Sequence, residues 1–153
     1  MIYLDSALYT LLTGNADLVG LTGHTSGDPK IILQFPDQVA SYPAIAFWEE
    51  STGNQLPDVD EIKSSQYNIG VMVGAANSTS YASWTTQGRL LCDRILDRLV
   101  QLFSPGSLAS LDFSTSQVQT LGVVLQSKLP VRFEEEIDVY RGDITLRINW
   151  YLK

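Results

Sequence analysis

Residues Tyr81–Phe103 read YASWTTQGRLLCDRILDRLVQLF, the stretch around which the remaining elements can be arranged. Apolar or small residues recur in it at three- and four-residue steps, which is the spacing of one face of an α-helix. They are Tyr81, Trp84, Gly88, Leu91, Cys92, Ile95, Leu99 and Leu102. Polar residues fill most of the other positions, so we predict one long amphipathic helix with Tyr81, Trp84 and Cys92 in the core. Residues 77–80 offer capping groups, and Pro105-Gly106 ends the helix.

Alternating apolar residues on both sides of this helix predict strands. Residues 65–73 precede it, and residues 118–126 and 144–152 follow it. The side chains expected to face the helix are Tyr67, Ile69, Val71, Val73, Leu121, Val123, Leu125, Ile144, Leu146, Ile148, Trp150 and Leu152. The pattern predicts a single α+β domain spanning residues 1–153, with a mainly antiparallel sheet beneath the long helix and a short N-terminal helix.

In the N-terminal third, the sequence predicts a short helix, turns and two short strands. Residues 4–14 have apolar side chains at helical spacing, and glycines from Gly14 to Gly27 indicate turns after this helix. Short strands are predicted over residues 31–35 and over Pro43–Glu50. The polar stretch Ser51–Lys63 is predicted to be a long loop that joins two strands.

Charge and composition limit the possible functions. Charged residues make up 18% of the 153 residues, and the net charge is −7 with no basic cluster. Binding to nucleic-acid phosphates needs concentrated Lys and Arg, so we do not expect that mode of binding. An acidic wall can still line a channel through which DNA passes without specific binding. No apolar run reaches the roughly 20 residues that span a bilayer, and residues 1–12 lack a signal-peptide pattern. We therefore expect no membrane partner and assembly in a cytoplasm.

Residues that commonly carry catalysis are sparse. His24 is the single histidine and lies in the glycine-rich segment GLTGHTSGD, which is a poor place to hold a general base beside its partner. Neither a phosphate-binding loop nor a dinucleotide fingerprint occurs. Cys92, the single cysteine, cannot form an internal disulfide. The sequence therefore predicts no enzyme, no catalytic residue and no cofactor.

Two acidic groups are the candidate functional residues. The first contains Asp58, Asp60 and Glu61, and the second is the run Glu134, Glu135 and Glu136. Carboxylates are ligands for hard cations, but the twelve-residue calcium-loop pattern is missing from both groups. We therefore expect solvated acidic surfaces rather than a metal site.

The order of several phrases carries a resemblance to a known family. An opening helix leads into ALYTLLTGNADLVGLTG at residues 7–23, and Phe35-Pro36 and Tyr42-Pro43 precede the strand AIAF. A polar loop, the strand YNIGVMV, the long helix and the closing strand GDITLRINWYL complete the order. This arrangement, over nearly the whole chain, resembles the tail terminator, or tail-completion, proteins of long-tailed bacteriophages.

The resemblance implies a structural role in the virion neck. Such proteins form a ring, usually a hexamer, that caps the tail tube, ends its polymerisation and provides the head-to-tail joining surface. The implied partners are further copies of the chain, the tail tube protein and a head-closure or connector protein. On this interpretation Asp58, Asp60 and Glu61, or Glu134, Glu135 and Glu136, or both groups, lie at the lumen or at a ring-to-ring face.

Two alternatives remain open from the sequence. Another neck or tail component, such as a head-closure or tail tube subunit, would share a small α+β fold and ring symmetry. A small-molecule-binding or enzymatic α+β domain would need a deep pocket with convergent polar groups. A tube subunit would polymerise into long tubes, whereas a terminator would stop at one ring.

Overall fold

A computed structural model describes the backbone of residues 2–35, 38–56, 59–82, 84–104 and 117–153. Within these ranges it describes the side chains of all residues except 2–3, 54–56, 59–61 and 84. The described elements are α1 (Ile2–Thr13), α2 (Ala16–Thr22), β1 (Ile31–Leu33), β2 (Ala44–Leu56), β3 (Val59–Gly74), β4 (Ser78–Tyr81), β5 (Trp84–Gln87), α3 (Arg89–Leu102), β6 (Val118–Glu134) and β7 (Val139–Leu152). The fold is α+β, as the sequence predicts.

Five of the strands form one sheet in the order β1-β2-β3-β7-β6. Strand β1 runs parallel to β2, and the other neighbours are antiparallel. The predicted inner face of β3 is confirmed, because Tyr67, Ile69, Val71 and Val73 are all fully buried. These side chains belong to the same hydrophobic cluster as side chains from the three helices.

Helix α2 replaces the turns that the sequence predicts after α1. The Asn15 side chain caps α2 by accepting a hydrogen bond from the Leu18 N–H at 3.1 Å. Gly23 ends the helix in the left-handed conformation, with φ of 72°. The glycine-based prediction was wrong here. The Asn15 cap and the burial of Leu18 and Leu21 stabilise a second helix of seven residues, which contains Gly20.

Helix α3 begins at Arg89 rather than at Tyr81, so the predicted start of the long helix was wrong. Residues 78–87 instead form the β4–β5 hairpin. Gly88 separates hairpin from helix with φ of 56°, a conformation that a helix does not contain. The predicted capping group Asn77 accepts a hydrogen bond from the Gly74 N–H at 2.7 Å and therefore belongs to the preceding turn. Residues Pro105 and Gly106 lie outside the described residues.

Tyr81 reaches the core from the hairpin, not from a helix. Its ring packs against the hydrophobic core and lies directly over Gly20, where a Cβ atom would be 2.1 Å from the ring. Its hydroxyl donates to Asp17 Oδ1 at 2.9 Å. The β4–β5 hairpin is therefore attached to α2 by one close ring contact and one hydrogen bond. Trp84 lies on β5, and its side chain is outside the described residues.

The buried side chains include a few with polar groups. Cys92 is fully buried on α3, as predicted, and burial raises the pKa of its thiol to about 12. Trp150 Nε1 donates to Ser65 Oγ at 2.8 Å, and Ser65 Oγ lies 2.7 Å from Thr52 Oγ1. The Tyr67 hydroxyl donates to Asp5, and burial followed by this hydrogen bond raises the pKa of Tyr67. These pairs join α1, β2, β3 and β7 across the core.

The polar stretch Ser51–Lys63 is not the predicted loop. Strand β2 continues to Leu56 and β3 starts at Val59, so the two strands form one long hairpin. Thr52 pairs with Ser65, and Asn54 pairs with Lys63, after a register shift near Glu49. The prediction failed because main-chain pairing continues without apolar side chains when the neighbouring strand supplies the hydrogen bonds.

Candidate assembly surfaces

Of the two acidic groups found in the sequence, the first follows the tip of the β2–β3 hairpin. Asp60 and Glu61 lie near the start of β3, and their side chains are outside the described residues, as is the whole of Asp58. Lys63 of the same strand still pairs with Trp150 of β7. The described backbone therefore places Asp60 and Glu61 at the end of the sheet where β7 finishes.

The second acidic group forms the turn of the β6–β7 hairpin. Glu134 ends β6, and Glu135 and Glu136 are exposed in the turn that leads to Val139. Asp138 takes φ of 57° in this turn, which is a conformation that Asp tolerates better than most residues. The predicted solvated character of the run is confirmed for Glu135 and Glu136.

The two acidic groups lie at opposite ends of the sheet. Strand β3 pairs with β7 from Lys63 opposite Trp150 to Gly74 opposite Val139. Because a strand rises about 3.3 Å per residue, the two ends of this ladder are roughly 36 Å apart. The structure therefore does not bring Asp60 and Glu61 together with Glu134, Glu135 and Glu136 within one copy.

Glu134 also takes part in a charged cluster on the sheet face opposite the helices. Asp143 is 7% exposed and accepts from Arg132 Nη2 at 2.8 Å, and its Oδ1 lies 3.1 Å from Arg141 Nη2. Arg141 Nη1 lies 3.9 Å from Glu134 Oε1. Since Arg132 and Arg141 are direct cross-strand neighbours, the carboxylate of Asp143 reduces the repulsion between two like charges.

Exposed apolar side chains follow the two edges of the five-stranded sheet. The described residues include ten large apolar side chains that are exposed. Six belong to the β6–β7 hairpin: Leu121, Val124, Leu129, Phe133, Ile137 and Leu152. Three lie on or directly beside α1 and β1: Tyr9, Leu33 and Phe35. We call the exposed side of β6 the β6 flank, and α1, β1 and residues 34–35 the β1 flank.

A groove of about 600 Å³ lies in the β1 flank between α1 and β1. Its lining includes Asp5, Tyr9, Pro29 and Leu33. The groove has a mostly apolar wall, and it is bounded by the strand that ends the sheet. It is the described cavity that comes nearest to the pocket required by the ligand-binding alternative, with a volume in the usual range for such sites.

The sequence did not identify these flanks, although β6 contains a signal for one of them. Leu121 and Leu125 were expected to face the core with Val123; Leu125 does pack against the core, but Leu121 is exposed. A register shift between Thr120 and Gly122 moves Leu121 out of the alternation. Val124 adds a further apolar side chain on the outer face, so apolar residues on both faces of this strand were the signal.

His24 has a defined role in the loop before β1. Its Nδ1 accepts hydrogen bonds from the N–H groups of Lys30 and Ile31 at 3.0 and 3.1 Å. Tyr9 contacts the imidazole edge to face, with the ring centroids 6.2 Å apart. The ring therefore fixes the entry of the chain into β1.

The part of the chain that the structure describes shows neither a metal-binding cluster nor a membrane-spanning helix. No group of three or more His, Cys, Asp or Glu side chains there is arranged to hold a metal ion. None of the described helices combines the length and apolar character needed to cross a membrane.

Comparison with known proteins gives a match in fold. No protein-family model and no curated protein matches the sequence. Among solved structures, the chain is similar to a protein chain in the virion of the native gene transfer agent (GTA) particle. The TM-score is 0.68 at 16% sequence identity, and the match covers 97% of this chain and 94% of the other. The two chains share a fold over nearly their whole lengths.

Proposed function

We propose that this protein is a structural component of a phage-like virion and that it forms the ring that caps the tail tube. The observation that carries the proposal is the fold shared with a chain of the GTA virion over 97% of this chain. The order of sequence elements, which resembles that of tail terminators, supports the more specific role. In that role about six copies close on the last ring of tube protein, an estimate taken from the family resemblance and from the cyclic symmetry of most homo-oligomers.

The placement of the acidic groups supports a ring with two functional faces. Asp60 and Glu61 lie at one end of the sheet, and Glu134, Glu135 and Glu136 lie at the other. A subunit whose strands run along the ring axis presents one acidic tip to the tail tube and the other to the head-closure or connector protein. We assign these residues, together with Asp58, which precedes them in the sequence, to the ring-to-ring faces or to the adjoining lumen.

The net charge supports a channel for DNA. The chain carries a net charge of −7, and the acidic side chains outnumber the basic ones by 17 to 10. A ring of such subunits repels phosphates at the lumen wall, so DNA passes without being held. The proposed role is structural and requires no catalytic residue, metal or cofactor. Assembly takes place in the host cytoplasm, and the finished protein resides in the neck of the virion.

The experiment that tests the proposal is a mass measurement by light scattering, paired with negative-stain images of the purified protein. The protein is examined alone and after mixing with cognate tail tubes. We expect either a closed ring with a central hole or a monomer that forms one ring at the tube end. Tubes should then stop growing when the protein is added.

Other outcomes assign other roles. Long tubes formed by the protein alone would identify a tail tube subunit. A ring that binds the connector but leaves tube growth unchanged would identify a head-closure subunit. A monomer or dimer that never binds tubes, with a small molecule in the groove between α1 and β1, would overturn the virion assignment.

A further inference from the structure

We propose that His24 is a pH-sensitive switch for the entry of the chain into β1. The neutral imidazole holds the backbone at the start of the strand, and protonation of the ring releases it. The switch goes beyond the proposed ring and does not depend on it, because all the groups involved belong to one copy of the chain.

The two hydrogen bonds to His24 define which form of the ring the loop requires. Its Nδ1 accepts from the N–H of Lys30 at 3.0 Å and from the N–H of Ile31 at 3.1 Å. Both partners are donors, so Nδ1 carries no hydrogen in this arrangement, and the proton of the neutral ring lies on Nε2. Protonation of the ring adds a hydrogen at Nδ1 and turns the acceptor into a donor that faces two donors.

Proton binding and the closed loop therefore oppose each other. Both hydrogen bonds are partly buried, so an N–H group that loses Nδ1 gives up an acceptor that solvent does not freely replace. The closed loop accordingly binds the neutral form of His24 in preference to the protonated form. Its attachment is strongest above the pH range in which imidazoles titrate, and it weakens as the pH falls through that range.

Strand β1 responds to this change because it has few other attachments. It comprises three residues, Ile31–Leu33, and pairs only with β2 among the described strands. The peptide group between Lys30 and Ile31 joins the two sides: its N–H donates to His24, and its C=O accepts from the Ile45 N–H of β2 at 2.7 Å. Protonation of His24 removes the first of these hydrogen bonds together with the neighbouring one from the Lys30 N–H.

The expected change is confined to the start of β1. The side chain of Ile31 is fully buried in the core and keeps the strand attached to the domain. The strand also lines the groove between α1 and β1, whose wall includes Pro29 and Leu33. We therefore expect protonation to loosen the wall of this groove while the rest of the sheet stays intact.

The charged and titratable groups around His24 do not replace it as the group that responds. Tyr9 of α1 contacts the imidazole. In the loop itself, Lys30 Nζ lies 3.6 Å from Asp28 Oδ1, so these two charges oppose each other. The acidic side chains of the two adjoining helices bind partners elsewhere: Asp5 binds Tyr67, and Asp17 binds Arg98 and Tyr81. Histidine is the side chain that ordinarily changes charge between about pH 5 and 8, and the chain has one.

The experiment compares the full-length protein with two variants that separate the acceptor from the proton. His24→Asn keeps an acceptor oxygen at the position of Nδ1 but does not titrate. His24→Phe keeps a ring against Tyr9 but has no acceptor. Hydrogen–deuterium exchange, resolved to single amides by mass spectrometry, gives the protection factors of the Lys30 and Ile31 amides. The amides of the β3–β7 ladder serve as the internal reference.

In the wild type, we expect both protection factors to fall roughly tenfold between about pH 8 and about pH 5, after correction for the intrinsic pH dependence of amide exchange. The reference amides should change by less than about twofold. His24→Asn should keep its protection at both pH values, and His24→Phe should show low protection at both. The ¹⁵N chemical shifts of labelled His24 should place the proton on Nε2 at the higher pH.

Equal wild-type protection at both pH values would overturn the inference. A loss in His24→Asn as large as that of the wild type would also overturn it, because another group would then be responsible. A proton on Nδ1 at the higher pH would do the same. If His24→Phe does not fold, the wild type and His24→Asn still decide the question. Ring formation and tube capping are measured separately, by light scattering and imaging, so the switch and the proposed function fail independently.

Discussion

Strand β7 lies between two long neighbours that pair with it in different ways. On one side, β3 pairs with β7 from Lys63 to Gly74 without a register shift. On the other side, β6 pairs with β7 with three shifts and exposes four of its large apolar side chains. The uninterrupted ladder keeps the inner side chains of β3 in phase with the helices, whereas the shifted ladder turns side chains of β6 outward. The β3 side of β7 thus belongs to the core, whereas the β6 side leaves apolar side chains exposed to solvent.

The largest expected effect tests the interior ladder. Ile69 on β3 is fully buried among core residues, so Ile69→Ala should lower the free energy of unfolding by about 3 kcal/mol. Leu129→Ala on β6 removes a side chain that is mostly exposed, and the expected loss is about 0.5 kcal/mol or less. Urea unfolding measures both. Similar losses in the two variants would remove the distinction between the ladders.

A smaller effect is expected from a buried hydrogen bond that joins β3 to β7. Ser65→Ala leaves the N–H of Trp150 buried without its acceptor, which should cost about 2 kcal/mol. Ser127→Ala is the matched change on β6, where the hydroxyl is exposed, and it should be nearly neutral. The same unfolding assay compares them. If Ser65→Ala proved neutral, the hydrogen bond would contribute nothing to the joining of the two strands.

The charged cluster across β6 and β7 should contribute less. Asp143→Asn leaves Arg132 and Arg141 opposite each other with no carboxylate between them, and we expect a loss of about 1 kcal/mol, reduced by solvent screening of Arg132. The loss should shrink in high salt because the repulsion is screened. Glu135→Gln, at an exposed position in the turn, is the control. A loss that did not change with salt would point to packing rather than charge.

The same contrast explains what the sequence could predict. Strands β3 and β7 have strict alternation and one buried face, so the inward side chains from Tyr67 to Val73 and from Ile144 to Trp150 follow directly from the pattern. Leu152 is exposed because it lies at the last paired position of β7, opposite Val118. Strand β6 is less predictable, since a bulge shifts the phase of every later residue.

The remaining failures have similar physical causes. The start of α3 was misplaced because Tyr81 and Trp84 fit a helical spacing, although Gly88 breaks the helix and the Ser- and Thr-rich residues before it pair as a hairpin. The polar half of the β2–β3 hairpin was not predicted as strand, because the prediction relied on alternating apolar residues and this half contains few of them. The acidic groups could be found as candidates, but their separation depends on strand register, which a single sequence does not reveal.

The smallest effect on stability is expected at the turn between β6 and β7. The proposed function predicts that substitutions in this turn alter assembly while they leave the free energy of unfolding almost unchanged. Glu135→Gln with Glu136→Gln removes two exposed charges and should change the free energy of unfolding by less than about 0.5 kcal/mol. If this turn meets a neighbouring ring, the double variant should still form its own ring but bind tubes or connectors with altered strength and salt dependence. Ring formation and binding are measured separately by sedimentation and by imaging.

Asp93→Asn provides the control for that double variant, because Asp93 is a partly exposed acid on α3 and belongs to neither hairpin. It should leave ring formation and binding to both partners unchanged. If the turn variant also behaved like wild type with both partners, Glu135 and Glu136 would have no part in a ring-to-ring face. The β2–β3 tip would then be the remaining acidic candidate, since the roughly 36 Å between the two ends prevents one neighbouring face from covering both.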